Sequence, residues 1–259
     1  MKQWFVLFRK ELLEAWRNYK WIWIPLVYVM LGIMQPISTY FLPEILEAAG
    51  GLPEGAIIQL PEPTGVEVMV KALGNYQTLG LLILVLAFMG TISAERVSGV
   101  AGMVLVKPVS FASYLTAKWA SAVCLTLVAT VLGVLGTWYY TEELIGPVSG
   151  SAILAGCLLF GLWLTLLVTL TIALSAMMRS SGAIAFVTLL VAAALSIVSS
   201  LSGTKLSWMP GRLTNYAGAA IAQGGMPDGA WGAVISTVIG MILLLYIAVS
   251  VFRKKELVA

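Results

Sequence analysis

Six stretches of about twenty mostly apolar residues punctuate this chain, at about 21–42, 73–94, 115–140, 151–177, 182–201 and 231–252, and none holds an Asp, Glu, Lys or Arg deep within it. Each is long enough to cross a hydrocarbon layer roughly 30 Å thick. A soluble fold could not hide so much apolar surface: 60% of the 259 residues are apolar and 10% charged, against about 25% charged in an ordinary soluble domain. The stretches lack the alternation of barrel strands, and a segment in lipid must satisfy its own backbone groups, so helices are the expected spans. The expected fold is therefore an all-α integral membrane protein, one transmembrane domain over 1–259. Pro25 and Pro36, with Gln35, predict a kink in the first span.

The basic residues set the expected orientation. With the N-terminus inside, Lys2, Arg9, Lys10, Arg17, Lys20, Arg96, Lys107, Lys118, Arg179, Arg253, Lys254 and Lys255 are cytoplasmic, and only Lys71, Lys205 and Arg212 lie outside. Glu44, Glu47, Glu54, Glu62, Glu67, Glu142, Glu143 and Asp228 all fall outside. Both termini are then cytoplasmic. Residues 1–20 carry Phe5, Phe8, Leu12, Trp16 and Tyr19 at helical spacing, with Lys2, Arg9, Lys10, Glu14 and Arg17 largely elsewhere round the helix. This predicts an amphipathic helix in the headgroup layer, touching membrane lipid. Outside, 43–72 is acidic and rich in turn residues. Half-polar 202–230, with Trp208, Tyr216 and Ile221, reads as an interfacial or re-entrant helical piece.

The same pattern excludes several functions. There is no histidine, which removes Ser–His intramembrane proteolysis and His-ligated metal or haem sites. Spans without ionisable groups do not suit an ion-coupled transporter, proton pump or voltage sensor. A net charge of +3 spread along the chain does not suit nucleic acid. Cys124 and Cys157 lie in apolar stretches and read as small packing residues. No convergent set marks a catalytic or metal site, so no cofactor is expected on this chain. Hydroxyls are patterned, however: Thr126, Thr130 and Thr137 on the third span, Thr165 and Thr169 on the fourth, and Ser196 on the fifth. Such stripes serve helix packing; the sharper alternative is a hydroxyl-lined pathway for an amphipathic cargo.

The inside loop 95–114, Glu95-Arg96-Val97-Ser98-Gly99 through Leu105-Val106-Lys107-Pro108-Val109-Ser110, is longer than a minimal connection. It has room for a short helix, with Ser110 placed to cap the next one. An acidic residue closing the second span, a glycine after it and a Leu-x-x-Pro-Val-Ser motif resemble the membrane-spanning subunits of ABC exporters of the ABC-2 type. Phe8 to Leu12 and Phe252 to Leu257 also look like that family's ends, so the resemblance covers essentially the whole chain. It implies a permease that pairs with a second copy or a sister permease, in the cell membrane of a bacterium. It implies that Glu95, Arg96, Gly99, Leu105, Lys107, Pro108, Val109 and Ser110 couple to an ABC ATP-binding subunit, with Arg179 a second contact. ATP and Mg would belong to that partner, since this chain has no GxxxxGK[ST] cradle. The cargo implied is an amphipathic compound, a peptide or a lipid-like molecule. Phe111 stands where the family often has Arg. The competing reading is a membrane sensor or regulator that uses the acidic outer segment and the inside loop.

Overall fold

The computed structural model describes residues 2–48, 63–100, 109–202 and 206–256. These residues form helices and turns without a strand. In chain order the helices are α1 Lys2–Arg17, α2 Lys20–Tyr40, α3 Leu42–Ala48, α4 Gly65–Asn75, α5 Leu81–Phe88, α6 Ser93–Val97, α7 Phe111–Leu144, α8 Gly150–Met177, α9 Ser181–Leu201, α10 Leu213–Gln223 and α11 Ala230–Glu256. Six spans are long and apolar enough to cross a bilayer: α2, the run Gly65–Val97, α7, α8, α9 and Ala230–Lys254 of α11. The end of the bundle that carries α1 is termed the proximal face, and the opposite end the distal face.

The helices begin where the chain supplies caps. Ser110 Oγ accepts from Ser113 N at 3.1 Å and starts α7. Thr64 and Glu67 form a capping box at α4. That box makes the second span begin at Gly65 rather than near 73, so Glu67 is a helix cap instead of part of a loop. Tyr19, at φ 56, separates α1 from α2. Both prolines sit inside a continuous α2 and are buried there.

α8 is the centre of the bundle. Of its most apolar stretch 72% is buried, against 11% for α11. Lipid gives no hydrophobic drive between spans, so close approach must come from small residues. α2 and α7 meet this way: a Cβ on Gly32 would lie 2.7 Å from the Gly133 carbonyl oxygen, and one on Gly133 would lie 3.0 Å from the Tyr28 carbonyl oxygen.

The second span is interrupted at Tyr76–Gly80 by a turn of π-helix, a widening that residue periodicity does not announce. On the distal face, residues 206–223 fold back onto the bundle. Pro210–Arg212 makes a short 3₁₀ turn whose Gly211 presses on the backbone of Leu195. α10 packs on α8 where Gly156 meets Ile221 and the Ala217 carbonyl. Tyr216 Oη donates to the Ser207 carbonyl at 3.2 Å, and Ser236 donates to that of Trp208.

Candidate functional site: a buried charge network on the proximal face

The stripe of α1 that faces the bundle is Trp4, Leu7, Phe8, Glu11, Leu12 and Ala15, so it carries a carboxylate among apolar side chains. Trp4 stacks on Phe8 and donates Nε1–H to Thr116 Oγ1 at 3.0 Å. Two residues further along α7, Lys118 is only 2% exposed. Its ammonium donates to both oxygens of Glu11 at 2.9 Å and to Glu95 Oε1 at 2.8 Å. Tyr114 Oη donates to the other Glu95 oxygen. Lys10 adds contacts to Glu11 at 3.0 Å, Glu14 at 2.7 Å and Glu95 at 3.5 Å. Desolvation works against the Lys10 cation, but Glu14, Glu11 and Glu95 outweigh it and hold its pKa above the usual lysine value.

The carboxylates of Glu11, Glu14 and Glu95 gather within 4.8 Å of one another, with the two ammonium groups among them. This follows the rule that buried charge is tolerated when it is paired and fully hydrogen-bonded. The effect is mechanical as well as electrostatic. Glu95 sits where the second span ends, Tyr114 and Lys118 sit where the third begins, and Glu11 belongs to α1. One network therefore ties both ends of the long loop to the N-terminal helix.

A second set of contacts fastens the same region to α8. Ser175 Oγ accepts from the backbone N–H groups of Ile92 and Ser93, both at 3.0 Å. Arg96 Nη1 donates to the Ala176 carbonyl at 3.0 Å, and its guanidinium lies over the Phe252 ring at 5.6 Å. Phe252 also packs on Phe111 and stacks on Tyr114, so Phe111 serves as an apolar wedge between α7 and α11. Beside the network is a cavity of about 320 Å³ lined by Glu11, Glu14, Lys20, Thr91, Glu95 and Lys118.

A polar layer crosses the distal half of the bundle at the π turn. Tyr76 Oη and Thr137 Oγ1 are 3.0 Å apart. Gln77 receives the Trp163 Nε1–H at 2.7 Å and donates to Ser196 Oγ at 3.2 Å. Asn75 donates to Gln35 at 3.1 Å. The widened turn thereby links the second span to α2, α7, α8 and α9.

Two comparisons with known proteins bear on this chain. A family model described as "Protein of unknown function (DUF2705)" matches residues 56–258. The chain belongs to the DUF2705 family. The Bacillus subtilis (strain 168) protein described as "Uncharacterized transmembrane protein YxlG" is 32% identical over 256 residues, 99% of each chain. Together with the six apolar helices, this makes the DUF2705 chain a multi-pass membrane protein.

Of the residues expected to couple to a partner, the structure joins Glu95 to the network and Arg96 to α8. Gly99, at φ +78, ends the proximal extension of the second span in a conformation that favours glycine. Val109 packs on the core, Ser110 caps α7 and Arg179 is exposed in the turn before α9. Leu105, Lys107 and Pro108 lie outside the described residues. Glu11 is not singled out by the sequence, and Lys118 figures there only among the basic residues that set the orientation. The available signal was the spacing of Trp4, Phe8, Glu11 and Ala15 along one face of α1.

The hydroxyl stripes of this DUF2705 chain divide into two kinds. Thr126, Thr130 and Thr165 are buried and bond the carbonyl four residues back, at 2.8 Å each. Thr137 and Thr169 make that bond too, at 3.0 and 2.7 Å, but also reach another helix, through Tyr76 and through Trp119 Nε1 at 2.8 Å. Ser196 is half-buried and bound to Gln77. Thr126→Val and Thr130→Val are thus expected to change stability in detergent by no more than about 0.5 kcal/mol, because no partner on another helix is lost. Gln77→Leu is expected to cost about 1–3 kcal/mol by leaving the Trp163 N–H unpaired. Thermal unfolding of the purified variants side by side measures both.

Proposed function

We propose that this protein is the membrane-spanning subunit of an ATP-driven exporter of the ABC-2 type. Its proximal face and both termini are then cytoplasmic, in a bacterial cell membrane. A second copy or a sister permease completes the pathway, and ATP is hydrolysed in separate ATP-binding subunits. α1 then lies at the cytoplasmic headgroup layer, its exposed Phe5, Leu13 and Trp16 facing lipid and Arg9 and Arg17 facing water or lipid phosphate.

The observation that carries the reading is the Glu95–Lys118–Glu11 network. A loop meant only to connect two spans needs no buried ion pair at its base. A loop meant to deliver force does, because its two ends must move as one. A subunit pressing on residues 98–110 would displace the ends of the second and third spans together with α1, and Arg96 and Ser175 would pass that displacement to α8. The chain's own groups thus serve to hold and transmit. Spans whose ionisable groups lie only towards their ends need such an external source of energy.

The test is co-purification from the native membrane. An ATPase subunit is expected with the wild-type chain in a fixed ratio, and it is expected to be lost on deletion of 99–106 while the permease stays monodisperse. Retention of the ATPase by that deletion, or purification of an active assembly containing no ATPase, would favour a sensor and sink the proposal.

A further inference from the structure

We propose that the cavity beside the charge network holds the zwitterionic headgroup of phosphatidylethanolamine, its ammonium on Glu14 and its phosphate on Lys20 and Ser121. The inference rests on the membrane character of the chain and holds whether or not the chain exports anything.

The cavity lies between α1, the start of α2 and the turn that separates α5 from α6. Lys20, the first residue of α2, donates to the Ala87 carbonyl at 2.8 Å. An ammonium has three hydrogens to give, so two of them have no acceptor among the described residues. Ser121 lies on the opposite wall, three residues beyond Lys118 on α7, and is 6% exposed. A hydroxyl so buried ordinarily has a partner. Thr126 and Thr130, on the same helix, give theirs to the carbonyl four residues back. Ser121 Oγ bonds to nothing among the described residues, and unlike Thr91 Oγ1 it is not sealed in by neighbouring atoms. It opens into the cavity and is free to bind what enters.

Charge decides what that is. Around the cavity the carboxylates of Glu11, Glu14 and Glu95 are matched by the ammonium groups of Lys10, Lys20 and Lys118, three against three. A lone anion would meet the carboxylates and a lone cation the ammonium groups, so neither is favoured. What stays unspent is one group of each sign. The ion pair of Glu14 with Lys10 uses Oε2 and leaves Oε1 open, and Lys20 keeps its two free donors. A molecule that carries both charges on a short link satisfies both. The volume of about 320 Å³ has room for about ten waters at about 30 Å³ each, which accommodates a phosphate joined to an ethanolamine.

Depth selects a lipid as the source. Lys20 opens the first span, so the cavity lies at the proximal edge of the hydrocarbon layer, where phospholipid headgroups sit. Leu86 lines the cavity and is half exposed, and Trp23, one turn along α2 from Lys20, is exposed as well. They give acyl chains an apolar surface on the membrane side, with the indole at interfacial depth. The primary ammonium of ethanolamine donates charge-assisted hydrogen bonds to a carboxylate. Choline has no N–H to donate, and phosphatidylglycerol has no cation.

The experiment uses the full chain, purified in dodecyl maltoside, stripped of lipid and followed by thermal unfolding. Dioctanoyl phosphatidylethanolamine, phosphatidylcholine and phosphatidylglycerol, and soluble glycerophosphoethanolamine, are titrated separately into wild type, Ser121→Ala and Glu14→Gln. Phosphatidylethanolamine is expected to raise the apparent Tm of wild type by about 5 °C, and the other two lipids by under about 2 °C. Without lipid, Ser121→Ala is expected to unfold within about 1 °C of wild type, because its hydroxyl has no protein partner to lose. With lipid, it is expected to need about tenfold more phosphatidylethanolamine for the same shift. A purely structural role for Ser121 would do the reverse, moving the lipid-free Tm and not the lipid midpoint. Glu14→Gln is expected to respond to the ethanolamine and choline lipids alike. If the three lipids stabilise wild type equally, or none does, the headgroup site is refuted. If Ser121→Ala titrates as wild type does, the lipid binds elsewhere and the proposal falls. If glycerophosphoethanolamine alone reproduces the wild-type shift, the headgroup site stands and the lipid assignment falls. Should Glu14→Gln not fold, the lipid comparison on wild type and the Ser121→Ala midpoint still decide the matter.

Discussion

Lys118→Met is expected to destabilise the protein by about 3 kcal/mol, the low end of what removing one partner from a buried ion pair costs. The substitution keeps the volume of the side chain and removes only its charge. Glu11 and Glu95, both now within 3 Å of one ammonium, are left facing each other. Lys10 stays nearby, but its side chain is 46% exposed and reaches Glu95 only at 3.5 Å, so it offsets part of the loss. The combined variant Lys118→Met, Glu11→Gln, Glu95→Gln is expected to recover to within about 1 kcal/mol of wild type, because no buried charge then lacks a partner. Thermal unfolding in detergent reads the difference of about 2–3 kcal/mol as roughly 4–12 °C between the single and combined variants. If the single substitution is harmless, these groups are not paired in a dry environment and the rigid clamp is an incorrect description.

Gly32→Val is expected to be still more damaging, at about 3 kcal/mol or more. The two helices cross at Gly32 and Gly133, and the space for a Cβ is filled by the Gly133 carbonyl and by the hydroxyls of Tyr76 and Thr137. A carbonyl cannot swing away as a long side chain can, so the helices must separate and their small-residue contact is lost. The Tyr76–Thr137 hydrogen bond would be disrupted as well. A fall in the yield of monodisperse protein on size exclusion checks this, with Gly74→Ala as the control because nothing lies within 4 Å of its added Cβ.

Much of this fold is legible in the sequence because lipid imposes length and composition. The third to sixth apolar stretches differ from their helices by four residues or fewer at either end. The start of the second span was not legible. Gly65–Asn75 carries Glu67 and Lys71 and looks like loop, and only the Thr64–Glu67 spacing identifies it as a capped helix. Ser110 was legible as a cap because that role needs only one side chain and one turn. The network was not, since Glu11, Glu95 and Lys118 are 84 and 23 residues apart in sequence order and meet only after three helices have packed.

The π turn at Tyr76–Gly80 bears on how relatives of this chain should be matched to it. A widened turn holds one residue more than an α-helix needs over the same rise. A relative lacking that residue could run straight through the membrane and keep Ala72 and Leu84 against the same neighbours, with its Tyr76 and Gln77 equivalents rotated off Thr137 and Trp163. Single-residue gaps inside a membrane helix are ordinarily treated as errors of matching. Between Asn75 and Leu81 such a gap has a physical meaning, and its presence should coincide with changes at positions 137, 163 and 196.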